Sequence, residues 1–186
     1  MTTAPLVARP VRWTGTTTRQ VHDLYTRAFP AAERVPLPLL HANALRPSCQ
    51  FLAWFDPADD SHIAGLTYSL VRPDIAYLGF LAVDDSRRSR GYGSRILNAF
   101  GAAHAHRTQV LEIEPVEESA ANYHQRVRRL AFYRRNGFEP TDLETHEGRE
   151  RYTVLTRNGD VTRDQLQRAM NRFGLWIFRS RVISLD

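Results

Sequence analysis

The chain has 186 residues, enough for one domain, or one domain with an appendage, around a sizeable core. Hydrophobic residues make up 42% and charged residues 24%, and the longest apolar run, Ile75 to Val83, falls far short of the ~20 residues of a membrane span. All 25 basic residues are arginine, against 20 acidic ones. They scatter from Arg9 to Arg181 and are dense only at 87–95 and 126–135, which argues against a nucleic-acid-binding face.

The opening "MTTAPLVARP" lacks the charged start and apolar core of a secretory signal. One cysteine, Cys49, cannot form an internal disulfide, and a cytoplasmic location is the resulting expectation. Arginine without lysine has a bland source in genome base composition. Its functional counterpart is the fit of planar guanidinium groups to phosphates and carboxylates.

In chain order, Leu6 to Trp13 reads as a first strand. A helix follows over Thr17 to Phe29, with Val21, Leu24, Tyr25 and Ala28 at helical spacing, and Pro30 stops it. Pro36 and Pro38 introduce a short second helix. Gln50–Phe55 and His62–Val71 read as strands joined by the turn-rich "DPADDS", hence an antiparallel hairpin. Ile75–Val83 is a third apolar strand, again antiparallel to its predecessor.

A helix from Gly93 to about Arg107 and a strand from Gln109 to Pro115 come next. The strand–helix–strand order makes that strand parallel to the third. Another helix spans about Ala121 to Asn136, with Gly137 where a left-handed, helix-ending residue belongs. "FEPTDLE" and "RERYTVLTR" read as two further strands. Residues 159–186 form an appendage to a domain of residues 1–158. Thr162 and Gln165 fit a capping box, Val161 and Leu166 a hydrophobic staple, and Met170 and Phe173 extend the apolar face that Gly174 closes. "LWIFRSRVI" is apolar enough to dock on this core or on a partner subunit, so a homodimer is one expectation.

The segment "SRRSRGYGSRIL" (Ser86 to Leu97) lies between the third strand and its following helix. A Walker loop needs a lysine, which the chain lacks. A dinucleotide fingerprint needs a third glycine where Ile96 stands, although Glu112 and Glu114 follow at roughly the right distance. A plain surface turn into a helix is the structural alternative. Arg88-x-x-Gly91-x-Gly93 opening a helix leaves backbone N–H groups without intrahelical partners at the positive end of the helix dipole. A pyrophosphate fits there.

This segment, with "FLAV" before it, a helix after it and "LAFYRRNGFEP" at Leu130 to Pro140, resembles the acetyl-CoA-binding motif and later helix of the GNAT superfamily of N-acetyltransferases. The resemblance covers about Val7 to Arg157. It implies an α/β fold in which a mixed, mostly antiparallel sheet splays at one parallel strand pair, with helices on both faces. It also implies that acetyl-CoA is the cosubstrate. The pantetheine arm would add to the strand at Leu81, Ala82 and Val83. The pyrophosphate would meet the amides of Arg88, Ser89, Arg90, Gly91, Tyr92, Gly93 and Ser94, with the Arg88 and Arg90 side chains as further contacts. Asn122 is the nearest match to a polar residue that touches the CoA arm.

Acetyl transfer from a thioester to an amine needs a deprotonated amine, a stabilised thioester oxygen and a proton for the departing thiolate. A strand N–H near Leu81 to Val83 can polarise the carbonyl, and no nucleophilic residue is required, so Cys49 reads as structural. Tyr133 occupies the family's tyrosine position, and a phenol can protonate a thiolate; its alternative is a core tyrosine. Glu112 and Glu114, two apart on a strand, are expected to share one face. Glu112 aligns with a carboxylate that some members use as base, the alternative being that one or both pair with arginines of the 126–135 helix. His104 and His106 do not face one site, so no metal is expected.

The resemblance thus implies transfer of an acetyl group to a primary amine of a small molecule. The alternatives are a peptide or protein N-terminal acetyltransferase and an inactive CoA-binding sensor. Neither nucleic acid nor membrane is expected as a partner. The acceptor determinants fall in Phe29 to Arg46 and after Pro140.

Overall fold

The computed structural model describes residues 4–31, 33–173 and 180–185. Along the chain the elements are β1 (Val7–Pro10), α1 (Thr16–Ala28), α2 (Leu37–Asn43), β2 (Cys49–Asp56), β3 (Asp59–Val71) and β4 (Ile75–Val83). A 3₁₀ turn over Asp85–Arg87 precedes α3 (Tyr92–Ala103) and β5 (Thr108–Ile113). Then come α4 (Tyr123–Arg135), β6 (Glu139–Glu147), β7 (Glu150–Arg157), α5 (Arg163–Phe173) and β8 (Ser180–Ser184). The strands form one mixed sheet in the order β1-β2-β3-β4-β5-β7-β6-β8. β4 and β5 run parallel, while β1–β2, β2–β3, β5–β7, β6–β7 and β6–β8 run antiparallel. This is the expected α/β fold.

The chain forms two compact units, and β4 contributes to both. The first holds the chain up to Val71 together with Gly79–Ala103. In it, Val21, Leu24 and Tyr25 bury the apolar face of α1, which ends at an extended Phe29 ahead of Pro30. Alternation along β4 puts helices on both of its faces. Phe80 meets the rings of Tyr25 in α1 and of Phe29 just after it at 5.2 and 5.0 Å, while Leu81 and Val83 pack on the cluster containing Ile96 of α3. The β2–β3 hairpin is as expected, but β3 begins at Asp59 and not at His62. Asp56 Oδ1 accepts from the Ala58 N–H at 3.1 Å, which tightens the turn and lets Asp56 pair with Asp59. β1 stops at Pro10 and not at Trp13, with one further backbone bond from the Val11 N–H to the Phe51 carbonyl at 2.9 Å.

The second unit holds Arg72–Leu78 and the chain from His104 onward. Here the parallel register sets Ile75, Ala76 and Tyr77 opposite Thr108, Gln109 and Val110. α3 ends at Ala103, short of Arg107. The chain is drawn into the sheet there, with Arg107 Nε on the Arg72 carbonyl at 2.6 Å and the Thr108 N–H on the Asp74 carbonyl at 3.1 Å. Gly137 follows α4 with φ 82°. The capping box at α5 forms both ways: the Thr162 N–H donates to Gln165 Oε1 (3.0 Å) and the Gln165 N–H to Thr162 Oγ1 (3.3 Å). Leu166, Ala169 and Met170 bury the apolar face of α5, and β8 pairs along β6 from Leu143 to Glu147. Gly174 and the "LWIF" stretch at 175–178 lie outside the described residues.

Candidate active site

In the first unit the chain leaves β4 after Val83, and the Asp84 N–H donates back to the Ala64 carbonyl at 3.0 Å. β3 lies close here. A Cβ on Gly65 would stand 2.4 Å from the Ala82 carbonyl oxygen and 3.3 Å from Val83 Cα. Only glycine permits that approach.

Beyond the 3₁₀ turn, the Arg88 guanidinium pairs with Asp85 at 2.9 Å, and the Arg88 N–H donates to the Asp85 carbonyl at 3.3 Å. Ser89 and Gly91 both have positive φ, 59° and 78°, and Arg90 between them is exposed. A Cβ on Gly91 would meet nothing within 4 Å. The Arg95 N–H makes the first helical bond of α3, to the Gly91 carbonyl at 3.0 Å. The N–H groups of Tyr92, Gly93 and Ser94 therefore precede any intrahelical acceptor, at the positive end of the helix.

A polar network fixes this helix start. The Tyr92 hydroxyl donates to Asp56 Oδ2 at 2.6 Å and accepts from Arg87 at 3.2 Å. Arg95 donates to the same Asp56 oxygen at 2.8 Å, with its guanidinium 4.7 Å from the Tyr92 ring centre, and Arg87 pairs with Asp59. The Arg95 and Tyr92 hydrogen bonds hold the Asp56 carboxyl well below the usual carboxylate range. The Tyr92 side chain is thus buried in the hairpin contact, leaving its backbone N–H as the group at the helix start. Sequence reasoning missed Asp56 and Asp59, because acids in "DPADDS" read as turn chemistry.

In the second unit, Glu112 accepts a hydrogen bond from the buried Tyr77 hydroxyl, 2.8 Å from Oε2. Glu112 Oε1 and Thr145 Oγ1 are buried and have no hydrogen-bond partner among the described residues. Burial pushes the Glu112 carboxyl up to about 7. The nearby Thr145 and Tyr77 hydroxyls pull it back, and the Glu147 charge adds to the rise. Burial, then the Glu112 and Glu147 charges, push the Tyr77 phenol well above its ordinary range.

Glu114 lies one residue past the end of β5, so strand alternation does not set its direction. Its carboxylate pairs with Arg126 (3.0 Å) and Arg129 (2.6 Å) and accepts from Asn122 Nδ2 (3.1 Å). The arginine-pairing alternative therefore describes Glu114, and the two glutamates share no partner. Asn122 is engaged at both ends of its amide, since its Oδ1 accepts from Arg126 Nε at 2.7 Å. Tyr133, on α4, has its ring 6.0 Å from Phe138. Burial pushes its phenol up to about 12, with Arg129 opposing. Cys49 is buried and burial pushes its thiol up. Among the described residues no group of three His, Cys, Asp or Glu could hold a metal, and no helix is long and apolar enough to cross a membrane.

The family profile described as "Acetyltransferase (GNAT) domain" matches residues 48–140, half of the chain. No curated protein matches the sequence. Among solved structures, a GNAT-family protein from Bacteroides thetaiotaomicron superposes with a TM-score of 0.66 at 24% identity, over 91% of this chain and 95% of that one. The ribosomal-protein-S18-alanine N-acetyltransferase from Escherichia coli gives 0.59 at 18%, over 82% and 92%. An aminoglycoside 6'-N-acetyltransferase complexed with coenzyme A gives 0.58 at 14%, over 81% and 96%. By its profile match and its fold, the chain belongs to the GNAT acetyltransferase family and is an acyltransferase.

Proposed function

We propose that the protein transfers the acetyl group of acetyl-CoA to a primary amine of a small molecule, by direct attack and without an acyl-enzyme. The observation that carries the acetyl-CoA assignment is the start of α3. Three backbone N–H groups without intrahelical acceptors follow an open Gly91 and an exposed Arg90, the donor set a pyrophosphate requires. The amides of Ser89 to Ser94 and the Arg90 guanidinium are assigned to that anion, and Leu81, Ala82 and Val83 to the pantetheine arm. Arg88, whose guanidinium Asp85 holds, shapes the loop. Asn122 is assigned to holding Glu114 and Arg126. Residues 1–158 carry this chemistry, with 159–186 as an appendage.

Glu112, with a carboxyl that titrates near 7, takes the proton of the amine, directly or through water. Attack then breaks the thioester, and Tyr133, neutral because burial raises its phenol, returns a proton to the CoA thiolate. Cys49, buried and with a raised thiol, offers no nucleophile.

The test is release of free CoA from acetyl-CoA across a panel of small amines and peptides. Turnover with small amines is the expected result. Turnover confined to peptides would assign the acceptor to protein N-termini. CoA binding without turnover on any amine would make the protein a sensor.

A further inference from the structure

We propose that Tyr77 is a positioning residue for proton transfer, one that ties down Oε2 of Glu112 so that the amine's proton is taken on Oε1. The inference rests on the reading of Glu112 as the base. Tyr77 lies in β4 opposite Val110 of the parallel partner β5, and side chains at 110 and 112 share a face. Its hydroxyl therefore reaches Glu112 diagonally across the strand pair, at 2.8 Å from Oε2.

Geometry around the carboxyl is asymmetric. Oε2 has a donor held by a tyrosine that is 4% exposed, with its ring edge against Phe173 of α5, 5.0 Å between centres. Among the described residues Oε1 is buried without a hydrogen-bond partner, and so is Thr145 Oγ1, whose residue is fully buried on β6 and whose hydroxyl helps hold the carboxyl charged. Oε2 shares a lone pair with the Tyr77 hydroxyl and Oε1 has no such bond among the described residues, so Oε1 is the more basic oxygen. The titratable and charged groups that face this pair are Glu147 from β6 and Tyr152 from β7, with the Thr145 hydroxyl as the remaining polar neighbour. Glu147 is itself bonded by the Ser180 hydroxyl of β8.

A donor to the charged form of a carboxylate favours ionisation, so Tyr77 keeps Glu112 ionised at lower pH than burial alone would allow. Tyr77→Phe keeps the ring packing and removes the donor. The acidic limb of the kcat/KM profile is then expected to move up by about one pH unit. The Glu112 carboxyl, followed by carbon-13 NMR of glutamate-labelled protein with Glu112→Gln to assign the signal, is expected to move by the same amount. In a Glu112→Gln background, Tyr77→Phe is expected to leave the pH profile unchanged.

An unmoved Glu112 titration in folded Tyr77→Phe overturns the positioning role. A titration that moves while the rate limb stays fixed overturns it differently, by removing Glu112 as the base. Should Tyr77→Phe not fold, a ring-fluorinated tyrosine at position 77, a stronger donor, keeps the shape. Both the titration and the limb must then move down.

Discussion

At the scale of single residues, Glu112 and Tyr133 carry opposite ends of the proposed proton path. Tyr133→Phe leaves the ring against Phe138 and removes only the oxygen. General acid groups contribute ~10²–10⁴-fold, so kcat is expected to fall by that range with CoA affinity nearly unchanged. Near-wild-type kcat, where chemistry limits the rate, would return Tyr133 to a core role. Glu112 also leaves a mark on stability that needs no substrate. Its folded carboxyl titrates at about 7 against 4.5 for the ordinary group, so the folded state holds the extra proton between those values. The stabilisation from that proton is full below about pH 4.5 and lost as pH rises through 7. Thermal melts of wild type and Glu112→Gln should therefore diverge, the wild type losing ground as pH rises from 5 to 8. A constant gap across that range would contradict the raised carboxyl. The sequence showed that Glu112 sits in an apolar strand and must find a partner. It could not show that the partner is Tyr77, because a parallel register between β4 and β5 is decided by tertiary packing.

At the scale of elements, the passage from β4 to α3 depends on two glycines for different reasons. Gly91 has a left-handed φ, which strains any side chain, and open space around its missing Cβ, where a side chain would stand toward the proposed pyrophosphate. Gly91→Val is expected to weaken CoA binding at least tenfold, ~1.4 kcal/mol, in a protein that still folds. Calorimetry on the folded variant checks this, and unchanged affinity would sink the anion assignment. Gly65 is the reverse case, since an added methyl collides with the β4 backbone at Ala82. Gly65→Ala is expected to cost about 1–3 kcal/mol, read from denaturant midpoints, as overpacking does. Much of this region was legible: "IAYLGFLAV" reads as an apolar strand, and the glycine spacing reads as a helix opening. Gly65 was not legible, because one glycine inside an apolar strand does not say which neighbouring backbone lies against it. Nor was the Asp56–Tyr92–Arg95 network, which joins residues 36 and 39 positions apart.

At the scale of the whole molecule, α5 and β8 both belong to the second unit. α5 buries Leu166, Ala169 and Met170, and β8 lies along β6 with its register running from Leu143–Ser184 to Glu147–Ser180. Truncation after Asn158 removes α5 and β8 and so exposes the core surface that Leu166, Ala169 and Met170 cover, together with the β6 edge; a lower melting temperature or a change of mass in solution is expected. An unchanged melting temperature together with unchanged mass by light scattering would refute it. The capping box announced α5 in the sequence, because its signal is local. β8 was announced only as apolar material in need of a surface, and its choice of β6 depends on contacts that span the unit.

That choice has a consequence for the chain as it is being made. Glu147 and its partner Ser180 are 33 residues apart. At ribosomal speeds of about 5–20 residues per second, β6 waits roughly two to seven seconds for the strand that will cover it. Through that interval its outer ladder is open to any extended segment nearby, including the same strand on a neighbouring nascent chain. The strand carries Glu139, Asp142, Glu144, His146 and Glu147. Two copies brought edge to edge would set acid against acid, so the charges that the finished protein partly buries also keep unfinished copies apart.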